Sequence, residues 1–309
     1  MSIRPLAIFD LPYVYSFRDE AIGLDTARTL TRGNPLGAVG LIAYVNPVRH
    51  IYSAIINGGE EAALGGIIHS RDETFAKLLY LAPITKLNHP DLPALIENLA
   101  VQAGEWGAFH VLAEIDERSD VFVPLRKSGF SVYAWQRMWD ASHVDASQIT
   151  EAGSGVEWKR VRSVDLPSIQ SLYHQIVPPL LQPIEPQPKV ASGWMCDDGV
   201  KCYVSVSQGV YGIVLLPLIH PEAKDVGAKL ASIIVNLPDR RNRPVYICVR
   251  SYQAWLEPVL ADLGAQGADR QAVMVKHLAH LVKDAQTAQT VPAGVSIQPS
   301  RVSKALGKK

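Results

Sequence analysis

The sequence predicts an α/β fold in which a mixed sheet alternates with helices, and it predicts that arrangement twice. The first observation is one stretch in which the apolar runs Phe75–Ala82 and Phe109–Asp116 enclose a helical segment. A short helix that stops at Gly129 then leads into a closing strand at 132–139. This alternation is typical of parallel strands joined by crossover helices. The second observation is that the pattern recurs after residue 200.

The second copy keeps the order and the spacing of the first. An apolar run, Tyr211–Pro217, precedes a predicted helix at 225–236, and a strand at Pro244–Arg250 precedes a short helix that stops at Gly264. Both short helices end in Leu-x-x-x-Gly, and the interval from the preceding strand to that glycine is the same in both copies. Such a repeat indicates two units of one design.

Each half also opens in the same way, with a strand followed by Asp-Leu-Pro. Asp10 and Asp165 begin these segments. Proline in the first turn favours the start of a helix. A second helix is expected between residues 21 and 33. An antiparallel meander is then expected at 37–45, 51–57 and 64–69.

Composition divides the chain into two domains. Residues 141–155 are rich in Ala, Ser, Asp and Gly, lack apolar periodicity, and are predicted to be a linker. The predicted domains are therefore 1–140 and 156–285. Residues 286–309 contain no acidic residue and carry Arg301, Lys304, Lys308 and Lys309, so we expect a disordered tail.

The charge balance argues against several partners. The chain has 309 residues, with 30 basic and 30 acidic side chains, so no net charge draws it to nucleic acid or an anionic membrane. Its three cysteines form no Cys-x-x-Cys pair, and no apolar run approaches the ~20 residues of a membrane span. We expect a cytoplasmic protein without nucleic-acid or membrane partners.

The duplicated plan resembles the GCN5-related N-acetyltransferase (GNAT) fold, over most of residues 1–280. The resemblance implies two tandem GNAT-like domains and an ancestral transfer of an acyl group from acyl-CoA to an amine. It also implies that acyl-CoA, as co-substrate, binds where the two parallel strands of a half diverge. The residues expected there are Leu81, Ala82 and Lys86 in the first half and Leu215 and Leu216 in the second.

The phosphate-binding loop of the family is altered in both halves. In the family, this loop carries Arg/Gln-x-x-Gly-x-Gly/Ala, and its N–H groups hold the pyrophosphate. The corresponding positions are Lys86, His89 and Asp91 in the first half and His220, Ala223 and Asp225 in the second. Asp91 and Asp225 are expected to cap the following helices with their carboxylates, which would use the same N–H donors.

The catalytic residues are altered as well. The family's frequent general acid, a tyrosine, is replaced by Leu125 and Leu260. Alternation along 109–116 places His110, Leu112, Glu114 and Asp116 on one face and Phe109, Val111, Ala113 and Ile115 on the other. Glu114 or His110 is therefore a candidate general base, and the alternative is an ordinary solvent-facing charge.

Two functions remain open. One is an N-acyltransferase that acts on an amine with acyl-CoA as co-substrate. The other is a catalytically degenerate GNAT-fold protein, a pseudoenzyme that binds a small ligand or a protein partner. No metal site is expected, because no two histidines have the spacing of metal ligands on a helix.

Overall fold

The computed structural model describes residues 2–37, 49–57, 62–144, 157–196 and 200–278. The chain up to residue 279 forms one compact unit, and its described strands join in a single sheet. The strands are β1 (Ser2–Pro5), β2 (Ile22–Gly23), β3 (Arg49–Asn57), β4 (Ala63–Ser70), β5 (Phe75–Ala82), β6 (His110–Asp116), β7 (Ser131–Asp140), β8 (Lys159–Arg160), β9 (Gly193–Cys196), β10 (Cys202–Gln208), β11 (Ile213–Ile219), β12 (Val245–Arg250) and β13 (Gln266–His277). The helices are α1 (Leu11–Ser16), α2 (Thr26–Arg32), α3 (Leu92–Glu105), α4 (Phe122–Lys127), α5 (Leu166–Ile176), α6 (Val226–Val235) and α7 (Leu256–Asp262).

The sheet is mixed, as the sequence predicts. Its strand order is β1-β3-β4-β5-β6-β13-β7-β12-β11-β10-β9-β8, and the short β2 lies against β5. Among the described strands, β5 is parallel to β6 and β11 is parallel to β12. Helices α3 and α6 make the two crossovers that such parallel pairs require. The predicted α/β class is confirmed.

The two halves exchange their closing strands. β7, the last strand of the first half, pairs with β12 of the second half, and β13 lies between β6 and β7. The expectation of a separate sheet in each half is therefore wrong. Main-chain hydrogen bonds carry no sequence information, so the apolar pattern predicts a strand but not its neighbour. The division into domains 1–140 and 156–285 stays a prediction.

Four helices cover one face of the sheet. Trp135 and Trp139 are four residues apart on β7, so they lie on the same face. The first packs against the core under α3 and α4, and the second belongs to the core under α6 and α7. Each core is built from an apolar helix stripe and alternate strand residues, such as Leu95, Leu99, Val111 and Ala113 in the first half and Leu230, Ile234, Ile247 and Val249 in the second.

The opposite face carries helices that cross between the halves. Helix α2 belongs to the first half, yet its Leu30 packs with Met138 and Val214, near the second half's strands. Helix α5 covers Tyr203 and Leu218. Apolar clusters lie near α1 and under α5, but alternate residues of the central strands between them are polar and line a cavity.

The predicted helix starts are confirmed. Asp10 and Asp165 directly precede α1 and α5, each with proline in the first turn. The strands predicted at 51–57 and 64–69 are β3 and β4. The strand predicted at 37–45 lies outside the described residues from residue 38 onward. Residues 145–155 of the predicted linker and the predicted tail also lie outside them. Among the described helices, none has the length and apolar character to cross a membrane.

The prediction that the carboxylates of Asp91 and Asp225 cap the following helices is wrong. Asp91 and Asp225 do precede α3 and α6, but neither side chain accepts a hydrogen bond from its helix. Asp225 is in the left-handed conformation, with φ of 52°, which turns the backbone into the helix. The aspartate that caps is Asp25, whose carboxylate accepts the N–H of Arg28 over 3.2 Å at the start of α2.

Candidate functional site

Strands β5 and β6 pair as parallel neighbours at only one end. Their register joins Phe75 with His110 and Lys77 with Leu112, and beyond this point the two strands diverge. We call the gap between them the first wedge. The resemblance to GNAT enzymes places the acyl-CoA there. The main chain of a splayed strand leaves N–H and C=O groups that must find partners inside such a gap.

The protein's own main chain fills the first wedge. Leu24 donates its N–H to the carbonyl of Leu79 over 2.9 Å and accepts the N–H of Glu114 over 2.8 Å, so it bridges both strands. Its side chain is only 1% exposed, within the core under α3. Strand β2, just before it, continues the pairing deeper along β5. The first wedge is therefore closed by an additional short strand.

A glycine allows this segment to lie so close. A Cβ built on Gly23 would stand 2.5 Å from the side-chain oxygen of Thr29 in α2. Thr29 itself donates to the carbonyl of Asp25 over 3.0 Å, which holds it in place at the first turn of the helix. A larger residue at 23 would push α2 away from the wedge.

The second wedge, between β11 and β12 beyond Leu215, is filled by a side chain. The amide of Gln253 donates to the carbonyl of Pro217 over 2.8 Å and accepts the N–H of Ile219 over 2.9 Å. Gln253 follows β12 in a short 3-10 helix, Ser251–Gln253, and is 1% exposed. Its carboxamide uses one N–H as a donor and its oxygen as an acceptor, so it replaces the main chain of a missing strand.

The residues expected to bind acyl-CoA therefore meet other parts of the chain. Leu81 is buried and paired with Ile22, and Ala82 is buried in the core near α1. Leu215 pairs with Ile247 and is buried in the core under α6. Leu216 is half-buried and faces a cavity between the halves. At the wedges these residues present no accessible surface to a cofactor. Their role in binding acyl-CoA stays a prediction.

The loops that would hold the pyrophosphate use their donors internally. In the first loop, the ring Nδ1 of His89 accepts the N–H of Asp91 over 3.1 Å. In the second loop, the ring Nδ1 of His220 accepts the N–H of Glu222 over 3.2 Å. Each histidine stands before a proline, which removes one further donor. Lys86 is half-buried in a 3-10 helix, Ile84–Lys86, before the first loop.

The candidate bases lie on one face of β6 but in different surroundings. The carboxylate of Glu114 is buried and accepts the N–H of Thr26 over 3.0 Å, at the start of α2. His110 stands at the other end of the strand, where its Nδ1 is 3.1 Å from Nδ1 of His277. The predicted face is confirmed: Val111, Ala113 and Ile115 pack in the core beneath α3.

A cavity of about 330 Å³ lies between the two halves on this polar face. Its walls come from the start of α2, from β4 to β6, from β7 and β10 to β12, and from residues 186–192. The charged residues around it are Asp25, Arg28, Glu73, Lys77, Glu114, Lys189 and Arg250, and four serines, at 70, 192, 205 and 207, add hydroxyl groups.

The charges around the cavity are arranged in opposite pairs. Lys77 lies 3.2 Å from Asp25, and Lys189 forms an ion pair with Glu73. Burial lowers the pKa of Lys77, but the carboxylates of Asp25 and Glu114 outweigh it and raise that pKa above its ordinary value. Lys77 is therefore a charged partner of these carboxylates and not a neutral base.

The most deeply buried pair is Arg250 with Glu185. The guanidinium Nε is 3.2 Å from the carboxylate, and the two side chains are only 4% and 2% exposed. Burial raises the pKa of Glu185, while the charge of Arg250 opposes that rise. Gln136 accepts a hydrogen bond from Arg250 and another from the thiol of Cys248 at 3.2 Å. Burial also raises the pKa of Cys248 to about 12, so this thiol is no nucleophile.

Residues 184–189, which we call the strap, close one side of the cavity. The strap belongs to the second half, but Ile184 packs against Phe75 and Leu112 of the first half. Its ends are fixed by two tyrosines. The hydroxyl of Tyr173 lies 3.2 Å from the carbonyl of Glu185, and that of Tyr203 accepts the N–H of Lys189 over 3.0 Å.

The sequence pointed to few of these contacts. Leu24, Gln253 and Glu185 belong to no motif, and their partners are distant in the chain. The paired His-Pro-acid segments, at 89–91 and 220–222, were the one visible signal, because two similar loops with prolines indicate a shared local structure.

Comparison with known proteins identifies the fold. No family model matches the chain, and no curated protein matches it. A GCN5-related N-acetyltransferase from Sphaerobacter thermophilus is similar in structure, with a TM-score of 0.54 at 12% identity over 89% of this chain and 95% of that one. A tandem GNAT protein from the clavulanic acid biosynthesis pathway has a TM-score of 0.53 at 14% identity, over 90% and 99%. The duplicated sheet described above is therefore a tandem GNAT fold.

Proposed function

We propose that this protein is a degenerate member of the GNAT fold, which transfers no acyl group and binds a small polar ligand in the cavity between its halves. The observation that carries the proposal is the closure of both wedges, by Leu24 in the first half and by Gln253 in the second. The proposal concerns a small-molecule partner in the cytoplasm, without nucleic acid or membrane.

Acyl-CoA does not fit the first wedge without unfolding part of it. A ligand there would have to displace Leu24 from Leu79 and Glu114 and move its buried side chain out of the core. Each buried main-chain group left without a partner costs about 1–3 kcal/mol, and removing a leucine from a core costs about 2–5 kcal/mol. These costs would be subtracted from the binding free energy of the ligand.

The second wedge and the loops lead to the same result. The side-chain oxygen of Gln253 accepts the N–H of Ile219, so this N–H is not available to a ligand. In each loop, the histidine takes one of the N–H groups that a phosphate needs. The donors expected for acyl-CoA are thus committed to the protein at four separate places.

Glu114 supports this interpretation. Its carboxylate accepts the N–H of Thr26, and its negative charge raises the pKa of Lys77. A carboxylate at the first turn of a helix is stabilised by the helix dipole and its free N–H groups. We propose that Glu114 positions α2 over the cavity and takes no proton from an amine.

The cavity suits a small polar ligand. Its volume lies at the lower end of the ~300–1,000 Å³ of ligand sites. Because Lys77 and Lys189 each have a carboxylate partner, a strongly charged ligand would have to break an ion pair. Serine hydroxyls such as those of Ser205 and Ser207 offer donors and acceptors without a charge. The favoured ligand is therefore neutral or zwitterionic and rich in hydroxyl or amide groups.

The alternative is an N-acyltransferase with Glu114 or His110 as base, and the fold shared with acetyltransferases favours it. It requires an open wedge in at least one half. The degenerate protein requires only the cavity. The two functions therefore differ in which compounds bind to the folded protein.

Thermal unfolding in the presence of small molecules tests the proposal. A ligand at 100 times its Kd adds about 2.7 kcal/mol of stability, so a panel of sugars, amino acids and acetyl-CoA discriminates the two functions. We expect a neutral or zwitterionic compound to raise the Tm. Ser207→Trp, on the cavity wall, should abolish this rise. Ser131→Trp, at an exposed position outside that wall, is the matched control. A rise with acetyl-CoA alone would contradict the proposal.

A further inference from the structure

His110 and His277 face each other across two neighbouring strands. They are register partners on β6 and β13, and their Nδ1 atoms are 3.1 Å apart. The rings are nearly perpendicular, at 90°, with centroids 4.9 Å apart. Both Nδ1 atoms therefore lie on the same side of the contact, close enough for one ion to reach both.

We propose that His110 and His277 together bind a transition-metal ion such as Zn²⁺, with water at the remaining positions. Two nitrogens at about 2.0–2.1 Å from a tetrahedral zinc ion are about 3.4 Å apart. The separation of 3.1 Å is within a few tenths of an ångström of that value. The same distance also allows one ring to donate a proton to the other, and the metal ion would take the place of that proton.

The sheet holds the two ligands in place. His110 is paired on one side with His277 and on the other with Phe75, so its backbone is fixed by two neighbouring strands. The N–H of Leu278, the next residue after His277, donates to the carbonyl of Phe109 over 2.9 Å. Two ligands held on adjacent strands lose little conformational freedom when a metal ion binds. They therefore bind it more tightly than two mobile side chains would.

The surroundings allow an open site. His277 is exposed, so water can complete the coordination sphere from the solvent side. Among the described residues, no group of three or more His, Cys, Asp and Glu side chains is placed to hold an ion, so these residues supply two ligands, His110 and His277. Imidazole suits Zn²⁺, Cu²⁺ and Ni²⁺, whereas Mg²⁺ prefers oxygen ligands.

The site would join the two halves of the chain. β6 belongs to the first half and β13 to the second, and the two histidines are 167 residues apart in sequence. An ion that binds the folded state but not the separated histidines stabilises that state. The sequence did not predict this site, because the histidines meet only through the exchange of strands.

Isothermal titration of the full chain with ZnCl₂ at pH 7.5 tests the inference, with MgCl₂ as a control. We expect saturable binding of one Zn²⁺, a rise in Tm and no response to Mg²⁺. His110→Gln and His277→Gln should each raise the Kd at least about tenfold, because the loss of even an outer-sphere partner costs about 10–100-fold. His143→Gln, at another exposed histidine, should leave it unchanged.

Two further results decide the matter. Protons compete with a metal ion for imidazole nitrogens, so acidification should weaken the binding of Zn²⁺. In the wild-type protein labelled with ¹⁵N-histidine, the imidazole signals of His110 and His277 should shift together on addition of Zn²⁺, which needs no variant to fold. Absence of zinc binding, or binding that persists in the double variant H110Q/H277Q, would overturn the proposal.

Discussion

The side-chain oxygen of Gln253 accepts the main-chain N–H of Ile219 over 2.9 Å, inside the gap where β11 leaves β12. The same carboxamide donates to the carbonyl of Pro217, so one side chain completes the hydrogen bonding of a strand edge. In the first half, Leu24 performs the equivalent task with its main chain. Two different solutions thus close the same gap in the two copies of the fold.

Replacement of this side chain should be costly. Gln253→Ala leaves a buried N–H and a buried carbonyl without partners, and each costs about 1–3 kcal/mol. We therefore expect the free energy of unfolding to fall by about 2–6 kcal/mol in urea denaturation. Gln175→Ala removes an exposed glutamine of α5 and should change it by less than about 0.5 kcal/mol. Equal effects of the two variants would show that Gln253 does not support the strand edge.

The buried ion pair predicts a strong coupling between the strap and β12, both of the second half. Glu185→Ala leaves the buried guanidinium of Arg250 unpaired, and breaking such a pair costs about 3–5 kcal/mol. A double-mutant cycle with Arg250→Met should recover much of that loss, because no charge then stays buried. The exposed pair Arg270–Glu117, at 47% and 44% exposure, is the control, with a coupling below about 1 kcal/mol. A coupling of that small size for the buried pair would contradict its assigned role.

Two aspartates at helix starts should differ in their effect on stability, because only one of them accepts a hydrogen bond from its helix. Asp25→Ala removes a carboxylate that caps α2 and pairs with Lys77, so we expect a loss of about 1–2 kcal/mol. Asp91→Ala should change stability by less than about 0.5 kcal/mol, since that side chain accepts no hydrogen bond from α3. Chemical denaturation of both variants measures this difference. A larger loss for Asp91→Ala than for Asp25→Ala would show that the assignment is reversed.

Asp10 gives a prediction for acid pH. Hydrogen bonds from Arg4, and from the N–H of Ala7, lower the pKa of Asp10 from 3.8 to about 2. A depressed folded-state pKa contributes stability that is present above pH 3.8 and is lost as the pH falls toward 2. In a carboxyl ¹³C NMR titration, Arg4→Ala should move this pKa back toward 3.8, whereas Arg18→Ala should not. An unchanged pKa in Arg4→Ala would refute the cause assigned here.

Periodic features of the fold were predictable from the sequence. Alternation along β6 placed Val111 and Ala113 in the core and Glu114 on the opposite face, because a strand has a period of two. The Asp-Leu-Pro segments predicted two helix starts, since proline fits the first turn at little cost. Each of these features depends on neighbours in the sequence.

The contacts that close the wedges were not predictable in this way. Leu24 acts through its main chain, which every residue has, so its side chain carries no signal of that role. Gln253 acts through a carboxamide that fits any strand edge, and its partners are 34 and 36 residues away. Similarly, the sequence indicated that Asp91 stands at a helix start but not where its carboxylate points.

Isothermal titration of the full chain with acetyl-CoA is the most direct test of the central claim that both wedges are closed by the protein itself. We expect no saturable heat of binding for the wild-type protein with acetyl-CoA up to the millimolar range. Lys86→Ala, at the first loop, should give the same flat titration. Micromolar binding that Lys86→Ala abolishes would contradict the account, because it would show that the first loop holds a phosphate group and that the first wedge opens.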